Sequence, residues 1–154
     1  MAKVTVKLPE DFLLKVSKLG GQTDRIIESC LEAGSEVVLS KVRSNLNSVI
    51  GSGTKYPSEA TGELASSLGV TPAKLDRDGN HNVKIGFNEP RRRQYAAKGK
   101  RSYYTITNAM IANVIEHGKH GQPAKPFLKP ARTSSRKACI EAIKRKLDEE
   151  IEKI

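Results

Sequence analysis

The sequence feature that most constrains the fold is a wide apolar stripe within residues 23–49. Apolar side chains recur there at steps of three or four residues, with one repeat missed at Gly34: Ile27, Leu31, Val38, Val42, Leu46 and Val49. A second row lies beside the first and contains Ile26, Cys30, Ala33 and Val37. This pattern predicts a long amphipathic helix that packs on a sheet or on another helix. Thr23-Asp24 provides an N-cap signal, and Gly51-Ser52-Gly53 ends the pattern.

A second long helix is predicted at the end of the chain, from about Ala131 onward. Its apolar residues fall at steps of three, four, four and three, with Lys and Glu between them: Ile140, Ile143, Leu147, Ile151 and Ile154. Such spacing places them on one helix face. We expect this face to dock on the rest of the domain or on another subunit.

The middle of the chain predicts shorter elements. Thr61 is positioned to cap a short helix that buries Leu64 and Leu68. Residues 69–87 predict a β-hairpin, because the alternating run Val83, Ile85 and Phe87 follows a polar Asp-Gly turn. Short helices are also expected over residues 9–18 and from residues 105–107 to Gly118. Together these patterns predict an α+β domain over residues 1–154, with two long helices packed on a small antiparallel sheet.

Length and composition exclude several classes of protein. A chain of 154 residues suits one domain and can bury a core without disulfides or metal ions. No apolar stretch is long enough to span a membrane, and the N-terminus lacks the apolar core of a secretory signal, so we expect a soluble intracellular protein without membrane contact. Cys30 and Cys139 are far apart in sequence and are expected to be reduced, buried thiols.

The net charge of +10 is concentrated in one region of the chain. Residues 91–137 contain 12 basic residues and one acid, Glu116, a net charge of +11, so the remaining residues carry a net charge of −1. Within this region, residues 90–104 are interpreted as a mobile basic arm without apolar periodicity. Three readings of the arm stay open: a solvated loop, a contact with an acidic protein surface, and a site for nucleic acid. Its candidate partner-binding residues are Arg91, Arg92, Arg93, Tyr95, Lys98, Lys100, Arg101 and Tyr103.

The sequence predicts no catalytic, cofactor-binding or metal-ligating residues. Neither Gly53-Thr54-Lys55 nor Gly99-Lys100-Arg101 has the glycine and hydroxyl spacing of a phosphate-binding loop. His117 and His120 lie near Glu116, but Gly118 is expected to end the helix between them and no further ligand is close in sequence. We therefore interpret these histidines as surface or capping residues.

Three motifs occur in an order that resembles one protein family. Pro57 is followed by Thr61-Gly62-Glu63-Leu64 with Ser66-Ser67-Leu68, then by Glu116-His117-Gly118, and then by Ala124-Lys125-Pro126-Phe127-Leu128-Lys129-Pro130-Ala131. This order is similar to that of the small tail-component family of long-tailed bacteriophages and prophages, which includes neck and tail-completion proteins. The resemblance implies structural roles for Thr61, Gly62, Leu64, Glu116, Gly118, Pro126 and Pro130. It also makes Phe127, Leu128 and Lys129 candidate partner-binding residues. Core packing within the chain is the alternative reading for Phe127 and Leu128.

The resemblance implies a non-enzymatic virion protein that completes the tail or joins it to the head. Its expected partners are copies of itself in a ring and other neck or tail proteins, with DNA as a further contact and no cofactor or small-molecule substrate. It would reside in the virion, and in the host cytoplasm during assembly. The alternative function is a nucleic-acid-binding protein that uses residues 91–104.

Overall fold

A computed structural model describes residues 10, 13, 22–53, 60–89, 94–96 and 103–153, with the backbone alone for 94–96 and 103–105. Four helices have described bounds: α1 Thr23–Val49, α2 Glu63–Ser67, α3 Asn108–His117 and α4 Leu128–Ile151. Six short strands accompany them: β1 Leu68–Val70, β2 Lys74–Leu75, β3 His81–Asn82, β4 Ile85–Phe87, β5 Gln94–Ala96 and β6 Tyr103–Thr105. The predicted α+β class is confirmed.

Helices α1 and α4 pack against each other in antiparallel directions and provide most of the core. Asn45, near the end of α1, bonds to the backbone of Phe127 just before α4, whereas Gly34 in the middle of α1 lies against Ile143. The buried side of α1 contains most residues of the predicted stripe, including Ile27, Leu31, Val38, Val42 and Leu46. With 27 residues, α1 is about 40 Å long. The stripe is therefore used to bury one helix against another and against the hairpin.

Gly34 explains the gap in the apolar repeat of α1. A Cβ atom placed on Gly34 would lie 2.7 Å from Cγ1 of Ile143 and 3.1 Å from Sγ of Cys139. Because the first distance is too short for a real side chain and the second is unusually tight, glycine permits the close approach of the two helices. The missed repeat is thus a contact point rather than an interruption of the helix.

The predicted hairpin over residues 69–87 is confirmed and consists of two paired sections. β1 pairs with β4 in antiparallel register, with Gly69 opposite Gly86, and β2 pairs with β3, with Lys74 opposite Asn82. At the turn, the Asp76 carboxylate accepts the backbone N–H groups of Asp78 and Asn80 at 3.0 and 2.8 Å. These two bonds fix the Asp-Gly turn that the sequence indicated.

Two predicted helix starts are wrong. The short helix α2 begins after Gly62, whose φ of 77° makes it a left-handed N-cap, and Thr61 is exposed and is not the capping residue. Helix α4 begins at Leu128, three residues before Ala131, so Pro130 lies inside the first turn. A proline fits there because the N–H groups of a first turn have no intrahelical acceptor.

The basic arm lies mostly outside the described residues, and its predicted mobility stays a prediction. The described parts are β5 and β6, which pair in antiparallel register with Tyr95 opposite Tyr104. The sequence does not predict these strands, because the segment lacks the apolar alternation of a strand that covers a core. Within the predicted helix over residues 9–18, Glu10 and Leu13 are helical, and the rest also lies outside the described residues.

Candidate assembly site at the start of the last helix

The first turn of α4 is capped by a carboxylate from α3. Oε2 of Glu116 accepts the backbone N–H groups of Phe127 at 2.7 Å and Leu128 at 2.8 Å, and Oε1 accepts that of Lys129 at 3.0 Å. The N–H groups at a helix start have no intrahelical acceptors, and the positive end of the helix dipole favours a negative charge. The first turn of α4 contains no acid of its own. Glu116, in the last turn of α3, therefore supplies the negative charge and the hydrogen-bond acceptors for the start of α4.

The electrostatics of Glu116 follow from this arrangement. Burial alone raises the pKa of the Glu116 carboxyl, but the N–H groups of Leu128, Lys129 and Phe127 together outweigh it and lower the pKa below its usual value. The residue is only 8% exposed. A carboxylate saturated by three donors stays ionised at neutral pH. Its chemistry is that of a cap, and it is poorly suited to accept or release protons.

Gly118 directs the chain from Glu116 back to the start of α4. Its backbone has a φ of 77° and a ψ of 177°, a conformation that is essentially restricted to glycine. A Cβ atom at this position would lie 2.7 Å from the backbone nitrogen of Ala124 and 2.8 Å from the carbonyl oxygen of Gln122. The N–H of Lys125 then donates to the carbonyl of Ile115 at 2.7 Å and closes the turn.

Phe127 lies where both long helices, α3 and the hairpin meet. Its side chain is completely buried and contacts the ring of Phe87 on β4 edge-on, with 6.2 Å between the ring centroids. Its backbone carbonyl accepts a hydrogen bond from the side-chain amide of Asn45 at 3.2 Å, and its N–H is bound by Glu116. Phe127 thus belongs to the core, as the intramolecular alternative proposed, and its side chain presents no surface.

A cleft of about 200 Å³ lies beside this junction, between β4, α3 and the start of α4. Its lining is mostly apolar and includes Gly86, Phe87, Ala112 and Leu128. Glu116 borders the cleft, but its two oxygens are occupied by the start of α4.

The surface around the start of α4 is basic. Six of the twelve cations in residues 91–137 lie in the part of the chain that the structure describes: Lys119, Lys125, Lys129, Arg132, Arg136 and Lys137. Lys125 is half-buried and the other five are exposed. Within the described residues, none of the six forms an ion pair with an acid of the same chain. The site therefore combines the packed junction between α3 and α4 with surface cations that form no ion pair within the described residues.

The structure brings some of the sequence-predicted residues together and separates others. Glu116, Gly118, Leu128 and Lys129 meet at the junction, where Pro126 and Pro130 are both exposed. Leu64 is buried in the core, and Gly62 caps α2. Tyr95 and Tyr103 contribute backbone to β5 and β6. The remaining arm candidates lie outside the described residues: Arg91, Arg92, Arg93, Lys98, Lys100 and Arg101.

Three polar residues that the sequence does not single out hold α3 and the start of α4 in place. Asn45 anchors Phe127 to α1, Glu89 accepts the N–H of Ala109 at 2.7 Å, and Asn108 donates to the carbonyl of Asn88 at 2.9 Å. Thr107, whose side chain accepts the N–H of Met110, acts with Glu89 and Asn108 to fix the start of α3. Asn45 lies 82 residues from its acceptor, so no local pattern reveals its role.

The two cysteines are buried thiols, as the sequence predicts. Cys30 and Cys139 are free and buried, and burial raises the pKa of the Cys30 thiol to about 11. Burial also raises the pKa of Cys139. Both thiols therefore stay protonated, and thiols of this kind are unreactive. Among the described residues, no cluster of His, Cys, Asp and Glu side chains is arranged to hold a metal ion.

Comparison with known proteins identifies the family. A family model described as "Bacteriophage HK97-gp10, putative tail-component" matches residues 10–118. The chain belongs to this phage tail-component family. Membership supports a structural role in the virion tail, in association with other virion proteins. The match ends at Gly118, and therefore includes Glu116 but not α4, whose start Glu116 caps. No curated protein and no solved structure matches the chain. Within the described residues of this family member, no helix is both long and apolar enough to cross a membrane.

Proposed function

We propose that the protein completes the phage tail or joins it to the head, without catalysis, by associating with itself and with neighbouring neck or tail proteins. Membership of the tail-component family is the observation that carries this proposal. Joining proteins recognise their neighbours through the shape and charge of rigid surfaces, and a heterologous contact repeated around an axis closes into a ring. The proposed assembly is such a ring.

The geometry of Glu116 supports a structural rather than a chemical role for the family motif. Both oxygens of Glu116 are engaged by backbone N–H groups, and the cleft beside it offers mostly apolar side chains. General acid or base catalysis requires a group that exchanges a proton near the working pH. The lowered pKa of Glu116 opposes such exchange. The Glu116-His117-Gly118 motif therefore fits a structural role in which Glu116 positions α4 for assembly.

The basic surface around the start of α4 favours a partner with an acidic surface. Lys129, Arg132, Arg136 and Lys137 are exposed on the first half of α4, and the six cations of the arm precede them in sequence. Unpaired surface cations increase the rate and specificity of association with an acidic surface. Within the neck or tail, that surface belongs to an adjacent protein or to the DNA that passes through.

The test is to delete the gene from the phage or prophage and to examine the particles by negative-stain electron microscopy. We expect filled capsids without tails together with unattached tails, and recovery of tailed particles when the wild-type gene is supplied from a plasmid. A plasmid that carries the same gene with an early stop codon is the matched control. Intact infectious particles without the protein would disprove the proposal.

The alternative function, nucleic-acid binding through residues 91–104, is favoured by the concentration of +11 net charge in residues 91–137. Phosphate contacts make binding fall steeply with salt, by about 10³ or more between 50 and 200 mM for six contacts. Replacing Arg91, Arg92 and Arg93 with Gln should then abolish retention of DNA at low salt. Loss of DNA binding without loss of tailed particles would separate this activity from the joining function.

A further inference from the structure

The two long helices carry opposite charges at opposite ends of the helix pair. Residues 22–40 of the α1 region contain four acids and one base, a net charge of −3. Residues 128–140 of α4 contain four bases and no acid, a net charge of +4. Since α1 and α4 are antiparallel, these two segments do not lie side by side. Negative and positive charge are thus separated along the α1–α4 pair, although the packing of the two helices does not require this separation.

The acidic part of α1 forms a row on one helix face. Glu28, Glu32 and Glu36 are spaced by four residues, which places them one above the other on the helix surface. Glu32 and Glu36 are exposed, and Glu28 is half-buried. None of the three forms an ion pair within the described part of the chain. We call these residues the acidic row.

The basic part of α4 forms a second row. Lys129, Arg132, Arg136 and Lys137 lie on neighbouring turns and are all exposed. Lys129 lies in the first turn of α4, where a cation is unfavourable because it faces the positive end of the helix dipole. Within the described residues none of the four cations forms an ion pair, so their charge is available to a partner outside the isolated chain. We call these residues the basic row.

The two rows match in length but cannot meet within one molecule. Each spans nine residues, from Glu28 to Glu36 and from Lys129 to Lys137, and the eight steps of about 1.5 Å between first and last residue give about 12 Å. Gly34 of α1 lies against Ile143 of α4, so the acidic row runs alongside the second half of α4. The basic row runs alongside the second half of α1, near Asn45. Only a second molecule can bring an acidic row onto a basic row.

We propose that the acidic row of one copy docks on the basic row of the next copy, in a head-to-tail contact between helices. A second copy of the chain is supported as the partner by three properties of the rows. They have equal length and opposite charge, and neither forms ion pairs within the described residues. The proposal deepens the joining function, since it rests on the self-association proposed there and names the surfaces that provide it. Two different surfaces meet in each contact, so the contact is heterologous and can repeat around a ring.

The test compares charge-reversed variants of the full chain by sedimentation equilibrium over a range of protein concentrations at low and at physiological salt. The acidic-row variant is E28K/E32K/E36K, and the basic-row variant is K129E/R132E/R136E. We expect the average mass of the wild type to rise with concentration at low salt and to fall when salt is added. Each triple variant should weaken association by about tenfold or more, because like charges then face each other.

Mixing the two variants should restore association, because each intact row then meets an oppositely charged row, and the protein with all six reversals should associate like the wild type. The matched control is D148K/E149K/E152K, which changes the net charge as much as the acidic-row variant and should associate like the wild type. Circular dichroism verifies that every variant is folded.

Three results would overturn the interface. The first is a wild type that stays monomeric at low salt, and the second is a lack of recovery in the mixture and in the six-residue reversal. The third is a basic-row variant that loses retention on DNA while the acidic-row variant associates normally, which would assign the basic row to DNA. If tails still require the protein in any of these cases, only the interface fails. If tailed particles form without the protein, the joining function fails, whatever the sedimentation shows.

Discussion

The carboxylate of Glu116 accepts the backbone N–H of Phe127 at 2.7 Å, across eleven positions of sequence. This bond joins the end of α3 to the start of α4, and the same carboxylate binds Leu128 and Lys129. It explains why a Glu-x-Gly element and a Pro-Phe-Leu segment occur in order in the chain. The acid caps the helix, the glycine turns the chain, and the phenylalanine fills the core beneath the turn.

Replacing Glu116 with Gln should destabilise the fold. The amide puts an N–H₂ group where an oxygen now faces backbone donors, and a buried donor left without an acceptor costs about 1–3 kcal/mol. The free energy of unfolding from urea titration is the measurement. Glu141→Gln on the exposed side of α4 is the control, and an equal effect of the two substitutions would contradict a capping role.

The stability that Glu116 provides should depend on pH. The pKa of this carboxyl is lower in the folded protein than in the unfolded chain, because three backbone N–H groups bind its charged form. Its contribution is therefore fully present above the unfolded pKa and is lost as the pH falls through the folded pKa. Asp76 and Glu150 also have lowered pKa values and contribute to the acid dependence of the wild type.

The difference between the wild type and E116Q isolates the Glu116 contribution, because Asp76 and Glu150 are the same in both proteins. The free energies of unfolding of the two proteins should converge as the pH is lowered from about 7 to about 3. A constant difference over this range would show that the charge of Glu116 is unimportant.

Replacing Gly34 with Ala should destabilise the wild type far more than an I143A background. In the wild type the new Cβ meets Cγ1 and Cδ1 of Ile143 at 2.7 and 2.8 Å, and such overpacking costs about 1–3 kcal/mol. Truncation of Ile143 removes both atoms and leaves Sγ of Cys139 at 3.1 Å, so that the better helix propensity of alanine, about 1 kcal/mol, offsets much of the remaining cost. A double-mutant cycle measured by urea unfolding tests this coupling between the two residues. Additive effects would disprove the contact.

Replacing Gly118 with Ala should cost far more than replacing Gly121. Both glycines have a positive φ, 77° and 75°, but a Cβ on Gly121 meets nothing within 4 Å, whereas one on Gly118 meets backbone atoms. The conformation alone costs about 1–2 kcal/mol, which is the effect expected for G121A. The clash in G118A should raise the cost to about 3 kcal/mol or more. Thermal unfolding of both variants is the measurement, and equal melting temperatures would show that the turn relaxes.

Much of the fold could be read from local patterns. The apolar stripes of α1 and α4 and the Asp-Gly turn of the hairpin are periodic or local signals, and each corresponds to an element in the structure. The start of α4 was misplaced by three residues because a proline-rich segment indicates an extended chain, while the acceptor that permits a helix there lies on α3. Thr61 was misassigned for a similar reason, since a glycine with positive φ begins α2 instead.

The candidate site could be predicted only in part. The motif residues Glu116, Gly118 and Phe127 were singled out from sequence, but their connection was not visible there. Asn45 carried no signal at all, because its acceptor lies at the other end of the chain. The basic row was noticed as local charge, whereas its separation from the acidic row depends on the antiparallel packing of α1 and α4.

The sequence by itself determined the secondary structure and where the charge is concentrated, because periodicity, turn chemistry and charge are properties of neighbouring residues. Only the tertiary structure decided that Glu116 caps α4, that Gly34 admits Ile143, and that the two charged rows lie at opposite ends. Contacts of this kind join residues far apart in the chain. They form when packing brings the elements together, and no local pattern encodes them.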